Sequence, residues 1–334
     1  LFAPSACSLL MEYTTLGDTG LTVSRLCLGC MSFGDPDWRE WVRGEEFGHE
    51  LVERARELGI NFFDTANMYS RGESERILGD ALGDDIGEQV VATKVFFPMD
   101  DDDPNSGGLS RKTIEQQLYA SRERLGVDTV DLYQTHRYDY DTPVEETLRA
   151  LDDAVRREKV RYIGGSSMWA HQFADMLHTS DGLGLERFAT MQNHYNLAYR
   201  EEEREMLPLC EREGIGVIPW SPLARGFLAR PHEEYRTTTR AETDDYAEAH
   251  PYVDNGGREV NERVEELAAE KDASMAQIAL AWLLHKDEVD APIIGTSSIE
   301  HLEEAVAALD ISLSDSEIEH LEEPYEPVPV SGHE

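Results

Sequence analysis

The sequence predicts a single (β/α)8 barrel of the α/β class, and three observations carry this prediction. Eight apolar, strand-like segments alternate with segments of helical periodicity along the 334 residues. The strand-like segments are almost continuously apolar, which is typical of a parallel sheet covered by helices. No G-x-G-x-x-G motif follows the first of them, and this disfavours the doubly wound sheet that is the main alternative.

The predicted elements follow one another in a regular order. A short hairpin over residues 12–24, with turn residues Gly17, Asp18 and Gly20, precedes the first strand. The eight strands are expected at residues 25–30, 61–66, 89–95, 128–136, 160–167, 188–193, 215–221 and 291–296. The clearest helices are expected at residues 47–58, 74–82, 113–125, 143–157 and 276–285.

Two segments lie outside the eight strand–helix units. Residues 224–257 form a long polar connection after the seventh strand, and connections of this length are usually functional or disordered. The capping box that begins at Ser314 predicts a C-terminal helix. We expect one barrel domain over residues 11–323, a leader at 1–10, and an acidic, proline-rich tail at 324–334.

The charge of the chain is its most unusual property. There are 68 acidic residues against 30 basic ones, a net charge of −38. Such a surface repels nucleic acid. We interpret the excess as adaptation to a salt-rich cytoplasm, because the acids are spread along the helical segments instead of forming an interaction tail. No apolar run reaches 18 residues, so we expect no membrane association and a cytoplasmic location.

The four cysteines do not form a disulfide framework in a chain of this size. Cys27 and Cys30 have C-x-x-C spacing, but they lie in an apolar strand. We therefore expect two buried thiols and not a zinc or redox site. We expect no metal ion in this protein, because its histidines fall on different elements.

Polar side chains end three successive strands, namely Asp64, Lys94 and His136. The C-terminal ends of barrel strands meet at one mouth, so these residues are expected to be neighbours. Taken singly, the aspartate could cap a helix, the lysine could reach solvent and the histidine could be a core residue. Lys94 favours the functional interpretation, because it follows the apolar run VVAT in a chain with only five lysines. A buried ammonium pairs with an acid such as Asp64.

Tyr69 follows Asp64 by five residues and lies in the loop over the same mouth. A lysine ammonium beside it would lower the pKa of the phenol. The set then has the parts of a general acid: Tyr69 donates a proton, Lys94 tunes it, Asp64 holds Lys94, and His136 orients the acceptor oxygen. Such a group protonates a carbonyl oxygen while a hydride from a cofactor reaches the carbon.

The chain resembles the aldo-keto reductase family from about residue 13 to about residue 322. The stretches that carry the resemblance include NFFDTANMYSRGESERILGDAL, VVATKV, DLYQTHR, VRYIGGSSMWAHQFA, GVIPWSPLARG and IIGTSSIEHLEE. It most resembles the branch akin to potassium-channel β subunits, in a salt-adapted form of the haloarchaeal type. The resemblance implies that Asp64, Tyr69, Lys94 and His136 are the catalytic tetrad, that NADPH is the cofactor, and that aldehydes or ketones are reduced.

The resemblance also implies the cofactor contacts. Trp220 would stack on the nicotinamide, and Ser166 and Gln192 would hold its carboxamide. Further contacts are implied for Cys30, Met31, Asp64, Ser167, Ser221, Leu223, Arg225, Gly226, Gly295, Ser297, His301 and Glu304. Many family members have arginine at the position of His301, so acceptance of NADH stays open.

A cofactor-binding sensor with little turnover is the alternative function. Retention of His136, where channel β subunits typically carry asparagine, favours the enzyme. The substrate partner is expected to be a small carbonyl compound facing an aromatic wall of Trp38, Phe96, Phe97 and Trp169. The sequence leaves the oligomeric state open.

Overall fold

The computed structural model describes residues 11–237, 239–243 and 252–333. Its main feature is one sheet of eight parallel strands in the order β10-β3-β4-β5-β6-β7-β8-β9. The strands are β3 Cys27–Gly29, β4 Phe62–Asp64, β5 Val90–Val95, β6 Val130–Thr135, β7 Val160–Ser166, β8 Phe188–Gln192, β9 Gly216–Val217 and β10 Ile293–Ile294. All eight predicted strands are confirmed with shorter bounds, and β9 and β10 contain only two residues each.

The sheet is curled, and its two outer strands approach each other. The amide of Asp290 donates to the carbonyl of Val217 at 3.0 Å, and the amide of Ile293 donates to the carbonyl of Pro219 at 2.9 Å. These bonds join the end of β9 to the segment that contains β10. The arrangement is an α/β fold with a curled eight-stranded parallel sheet, consistent with the predicted barrel.

Helices cover the outer face of the sheet. They are α1 Glu45–Glu57, α2 Glu73–Leu82, α3 Arg111–Leu125, α4 Val144–Arg156, α5 Ala170–Leu183, α6 Met206–Glu213, α7 Thr239–Thr243, α8 Gly257–Lys271, α9 Met275–Leu284, α10 Ile299–Ala307 and α11 Asp315–Glu322. The predicted capping box at the start of α11 is confirmed, because Ser314 and Glu317 each bond the other's backbone amide.

Helix α4 shows how local sequence produces these elements. Pro143 is its N-cap residue, Glu145 and Glu146 lie in the first turn, and Arg156 lies in the last. The charges complement the helix dipole at both ends. The spacing of Leu148 and Leu151 places both side chains on the buried face, where they pack against the sheet.

A two-stranded antiparallel hairpin, β1 Tyr13–Thr15 and β2 Thr22–Ser24, covers the end of the sheet where the parallel strands begin. The amide of Asp18 donates to the carbonyl of Gly214 at 2.9 Å, and the amide of Gly17 donates to Asp290 at 2.9 Å. Gly17 has a φ of +53°, and a Cβ there would lie 2.4 Å from the amide nitrogen of Gly216. This close packing leaves the opposite end of the strands for a functional site.

The chain after α11 packs back onto the loop that follows β8. The phenol of Tyr325 donates to Glu201 at 2.8 Å, the amide of Ser331 donates to the hydroxyl of Tyr199 at 3.0 Å, and His333 lies 3.1 Å from Glu202. This segment was expected to be a tail. The predicted leader at 1–10 lies outside the described residues, as do 238 and 244–251 of the predicted long connection. Among the described residues, no helix has the length and apolar character that crossing a bilayer requires.

The net charge of −38 leads to a prediction about stability. At low ionic strength the acidic surface repels itself and favours unfolding, whereas at molar salt the Debye length falls to about 3 Å. We expect the midpoint of thermal unfolding to rise by roughly 10 °C between 0.1 M and 2 M KCl, with loosening of the fold below about 0.5 M. Circular dichroism melts at a series of KCl concentrations test this. A midpoint that does not move on dialysis into dilute buffer would contradict it.

Candidate active site

A buried ion pair forms the centre of the site. Lys94, on β5, donates from Nζ to Asp64 Oδ1, at the end of β4, over 2.5 Å. The same nitrogen donates to the carbonyl oxygen of Thr65 at 2.8 Å. Neither side chain reaches solvent appreciably, with 0% of the lysine and 3% of the aspartate side chain exposed. The lysine therefore does not point into solvent, and its charge is compensated inside the protein.

Tyr69 is the third partner of this lysine. Its phenolic oxygen lies 3.4 Å from Lys94 Nζ, and the ammonium sits 5.0 Å from the centre of the tyrosine ring. Tyr69 begins a turn over Tyr69–Gly72, in which Ser70 and Arg71 have left-handed φ angles of 48° and 53°. Such non-glycine conformations cost about 1–3 kcal/mol each and occur most often at functional sites.

Burial and neighbouring charges determine the protonation states of Tyr69, Lys94 and His136. Burial raises the pKa of Tyr69 and outweighs the opposing effect of Lys94, so the predicted net lowering of this pKa is wrong. Burial alone would lower the pKa of Lys94, but the charge of Asp64 and the contacts with Asp64 and Tyr69 raise it overall. Burial, together with Lys94 and Arg137, holds the pKa of His136 well below its usual value. At neutral pH the site thus contains a phenol, an ammonium and a neutral imidazole.

Aromatic rings surround the exposed side of these groups. Tyr69 and His136 meet edge to face with ring centroids 5.8 Å apart. Phe97 lies 4.9 Å from His136, and Trp38 lies 6.4 Å from Tyr69. Trp169, which was expected in the same wall, contacts His333 at 4.8 Å and is 38% exposed. The structure therefore brings Trp38 and Phe97 to the reactive groups and gives Trp169 a different neighbour.

The residues expected to hold a nicotinamide carboxamide end β7 and β8 beside the ion pair. Gln192 donates its amide hydrogens to Asp64 at 2.9 Å and to Gln134 at 3.2 Å. These bonds direct its Oε1 away from Asp64, and among the described residues no side-chain or backbone group donates to this oxygen. Ser166 lies 3.2 Å from Ser167, which in turn accepts from the indole nitrogen of Trp220 at 3.0 Å. A carboxamide would find here an acceptor, a hydroxyl donor and the partly exposed ring of Trp220.

The segment after β9 has an unusual backbone. Ser221, Ala224 and Arg225 all have left-handed φ angles, of 54°, 47° and 56°, and Gly226 follows with 97°. Leu223 lies within this run. Within these turns the amide of Ala224 donates to the carbonyl of Ser221, and the amide of Gly226 donates to the carbonyl of Leu223.

The remaining predicted contacts lie within or just before α10, or in the turn after β3. Ser298 caps this helix by accepting from the amide of His301, and Glu304 lies within the helix. Gly295 has open space where a side chain would be. Cys30 and Met31 form a turn after β3, in which Cys30 is completely buried and so is not exposed to a ligand as predicted, whereas Met31 is partly exposed. Cys27 is likewise a buried free thiol, as predicted.

Three residues at this site were not predicted from the sequence. Gln134 donates to Asp64 at 2.9 Å, and the guanidinium of Arg137 lies 5.4 Å from the ring centre of Phe97 and acts on Tyr69 and His136 through its charge. Arg43 donates to the carbonyl of Ser297 at 3.0 Å. A signal existed for Gln134, because it precedes His136 by two residues and so lies on the same face of the strand.

The Aldo/keto reductase family model matches residues 25–326. The aldo-keto reductase AMT2 of Alternaria alternata is 42% identical over 346 residues, covering 96% of this chain and 93% of the relative. The versiconal hemiacetal acetate reductase of Aspergillus parasiticus is 44% identical, covering 95% of this chain and 98% of the relative. A Schizosaccharomyces pombe protein provisionally named as an aryl-alcohol dehydrogenase is also 44% identical, covering 96% and 97%.

The curled parallel sheet with a polar cluster at its strand ends, together with these relatives, defines an oxidoreductase. The chain belongs to the Aldo/keto reductase family.

Proposed function

We propose that this enzyme reduces aldehydes and ketones to alcohols with NADPH, using Tyr69 as the general acid. The observation that carries the proposal is the buried contact chain from Asp64 through Lys94 to the hydroxyl of Tyr69. We further propose that the curled sheet closes as one (β/α)8 barrel domain over residues 11–323 and that the protein works in a salt-rich cytoplasm. The likeness to potassium-channel β subunits remains a prediction.

Tyr69, Lys94 and His136 have different roles in the transfer of the proton. Tyr69, whose raised pKa keeps it protonated, donates its phenolic proton to the carbonyl oxygen of the substrate. Lys94 stabilises the phenolate that remains, because its ammonium lies 3.4 Å from the phenolic oxygen. His136, held neutral by its surroundings, can orient the carbonyl oxygen through a ring N–H. The phenolate regains a proton from solvent before the next turnover.

The cofactor, when bound, supplies the hydride that the carbonyl carbon accepts. Gln192 and Ser166 would hold its carboxamide, Trp220 would support its ring, and residues 221–226 would lie beside its pyrophosphate. The acceptor oxygen of Gln192 and the partly exposed ring of Trp220 support this fit. Ser297, His301 and Glu304 would meet the adenosine end. NADPH is the proposed nucleotide. NADH is the alternative, because histidine is a weaker phosphate partner than arginine.

Aromatic aldehydes are the substrate class that the surroundings of Tyr69 favour. Trp38 and Phe97 border the space beside Tyr69 and His136, and flat rings pack well against such walls. One relative bears a name that includes aryl-alcohol dehydrogenase, which agrees with this proposal.

The proposed function is tested by measuring steady-state oxidation of NADPH and of NADH with a panel of aliphatic and aromatic aldehydes in molar KCl. We expect turnover, with a higher kcat/KM for NADPH than for NADH and for aromatic than for aliphatic aldehydes. Tight cofactor binding without turnover on any aldehyde or ketone would instead indicate a cofactor-binding sensor. Preference for NADH would overturn the assignment of the nucleotide alone.

A further inference from the structure

A second buried carboxylate lies close to Lys94 and takes no part in the proposed proton transfer. Glu75, the third residue of α2, is 0% exposed. One of its oxygens accepts from Arg124 Nε on α3 at 2.6 Å, and the other accepts from the hydroxyl of Thr93 on β5 at 2.5 Å. Thr93 precedes Lys94, and successive side chains of a strand point to opposite faces. Glu75 therefore contacts β5 on its outer side, directly behind the lysine of the site.

Arg124 also contacts the turn that carries Tyr69. This turn, Tyr69–Gly72, runs directly into α2, so Tyr69 and Glu75 lie close together along the chain. Gly72 has a φ of +95°, and a Cβ there would lie 2.6 Å from both Cδ and Nε of Arg124. Because Gly72 has no side chain, the arginine packs on the end of the turn and bonds Glu75 at the same time. Their ion pair thus holds the end of the turn and the start of α2 together.

The neighbouring residue, Ser74, connects the same part of α2 to a residue that binds Lys94. Its hydroxyl donates to the carbonyl of Cys30 at 2.7 Å and lies 2.9 Å from the hydroxyl of Thr65. A serine hydroxyl has one hydrogen, so the threonine is the donor in the second contact. The carbonyl of Thr65 in turn accepts from Lys94 Nζ at 2.8 Å. The first turn of α2 is therefore bonded to Thr65 and to Thr93, the two threonines beside this lysine.

The ion pair of Glu75 and Arg124 lies where the turn needs a restraint. Ser70 and Arg71, in the middle of the turn, have left-handed φ angles, and such conformations persist only where the surroundings hold them. Apolar side chains of similar volume often stabilise a fold as well as a buried ion pair does, because burial of the charges is unfavourable. The directed bonds of Glu75, however, fix the position of the turn relative to β5, which apolar packing does less strictly.

We propose that Glu75 and Arg124 are positioning residues for the proton donor: their ion pair holds the turn Tyr69–Gly72 against β5 and so maintains the approach of the Tyr69 hydroxyl to Lys94. This inference rests on the proposed function, because it takes Tyr69 as the general acid. The phenolic oxygen and Lys94 Nζ are 3.4 Å apart, at the long end of hydrogen-bond distance. A further shift of the turn would therefore separate the phenolate from the ammonium that stabilises it.

The test variant is Glu75→Gln, which keeps the size of the side chain and removes its charge. An amide has one acceptor oxygen where the carboxylate uses two, so the bond from Arg124 or the bond from Thr93 is lost. We expect kcat for aldehyde reduction to fall about tenfold, since a misplacement of about 1 Å can cost up to about 10²-fold in rate. The Kd of NADPH from fluorescence titration and the KM for the aldehyde should change less than about twofold. An unchanged kcat would overturn the inference.

Asp152→Asn is the matched control, since it neutralises another buried carboxylate that uses both oxygens. Asp152 is 6% exposed, pairs with Arg156 on α4 at 2.5 Å, and accepts from the amide of Glu186 at 2.9 Å. Glu186 lies just before β8, so this pair is at the end of the sheet where the strands begin, opposite to Tyr69. We expect a normal kcat even where the unfolding midpoint falls. A comparable loss of kcat would contradict a role specific to Glu75.

A double variant shows whether Glu75 acts through the tyrosine hydroxyl. In Tyr69→Phe the hydroxyl is absent, so the position of the turn no longer controls a proton donor. We therefore expect Glu75→Gln to change the residual kcat of Tyr69→Phe less than about twofold. A loss of about tenfold in this background as well would overturn the inference, because Glu75 would then serve the fold or the cofactor site.

The outcomes separate the positioning role from the proposed function. If the unsubstituted protein reduces no aldehyde or ketone, or if Tyr69→Phe keeps the normal kcat, the proposed function fails and the positioning role fails with it. If Tyr69→Phe loses turnover and Glu75→Gln keeps it, only the positioning role is overturned.

Discussion

Tyr69→Phe is expected to lower kcat for aldehyde reduction by about 10²- to 10⁴-fold while NADPH still binds with its normal Kd. The substitution removes the proton donor and little else, because the described contact of the hydroxyl is to Lys94 at 3.4 Å. The ring stays between Trp38 and His136, so the shape of the substrate space is kept. Steady-state kinetics and a fluorescence titration of NADPH provide the two measurements.

Tyr140→Phe is the control for this experiment, since it makes the same chemical change at a tyrosine that is 65% exposed. It should retain normal kcat. Turnover by Tyr69→Phe at a comparable rate would show that another group donates the proton, and the assignment of Tyr69 would then be abandoned.

The pH dependence of reduction and of alcohol oxidation is also determined by Tyr69. Burial raises the pKa of Tyr69 above its ordinary value of 10.0, so the phenol stays protonated across neutral and mildly alkaline pH. Reduction, which needs the phenol, is therefore expected to show no decline attributable to Tyr69 below about pH 10. Oxidation of the alcohol, which needs the phenolate as a base, is expected to rise with pH over the same range.

Much of this site could be predicted because the C-terminal ends of parallel strands meet at one edge of a sheet. Asp64, Lys94 and His136 end three successive strands, and parallel strands of one curled sheet bring such positions together whatever the details of packing. Tyr69 could be assigned to the same site because the loop after β4 is short. The eight strands and most helices were predictable for a similar reason, since their apolar spacing is set locally.

Contacts that depend on tertiary packing could not be predicted in this way. The net direction of the Tyr69 pKa depends on burial, which a sequence does not quantify, and burial outweighs the lysine. The contact of His194 with Tyr252 joins residues 58 positions apart in two irregular segments, where no periodicity applies. The position of His333 against Trp169 and Glu202 was missed because an acidic, proline-rich end of a chain gives no signal of where it packs.

Lys94→Met is expected to combine the loss of turnover with a large loss of stability. The ammonium is 0% exposed and compensates the buried carboxylate of Asp64, so its removal leaves an unpaired charge inside the protein. Breaking such a pair costs about 3–5 kcal/mol of unfolding free energy, and the phenolate of Tyr69 loses its stabilising cation as well. Urea unfolding and steady-state kinetics measure the two effects.

The double variant Asp64→Asn with Lys94→Met separates these effects. The asparagine removes the buried negative charge, and its oxygen can still accept from Gln134 and Gln192, which donate to Asp64 at 2.9 Å in the structure. Replacing both partners of a buried pair is often nearly neutral for stability, so we expect most of the lost unfolding free energy to return. Turnover should not return, because Tyr69 still lacks the ammonium. Recovery of turnover together with stability would mean that Lys94 serves the fold and not the proton transfer.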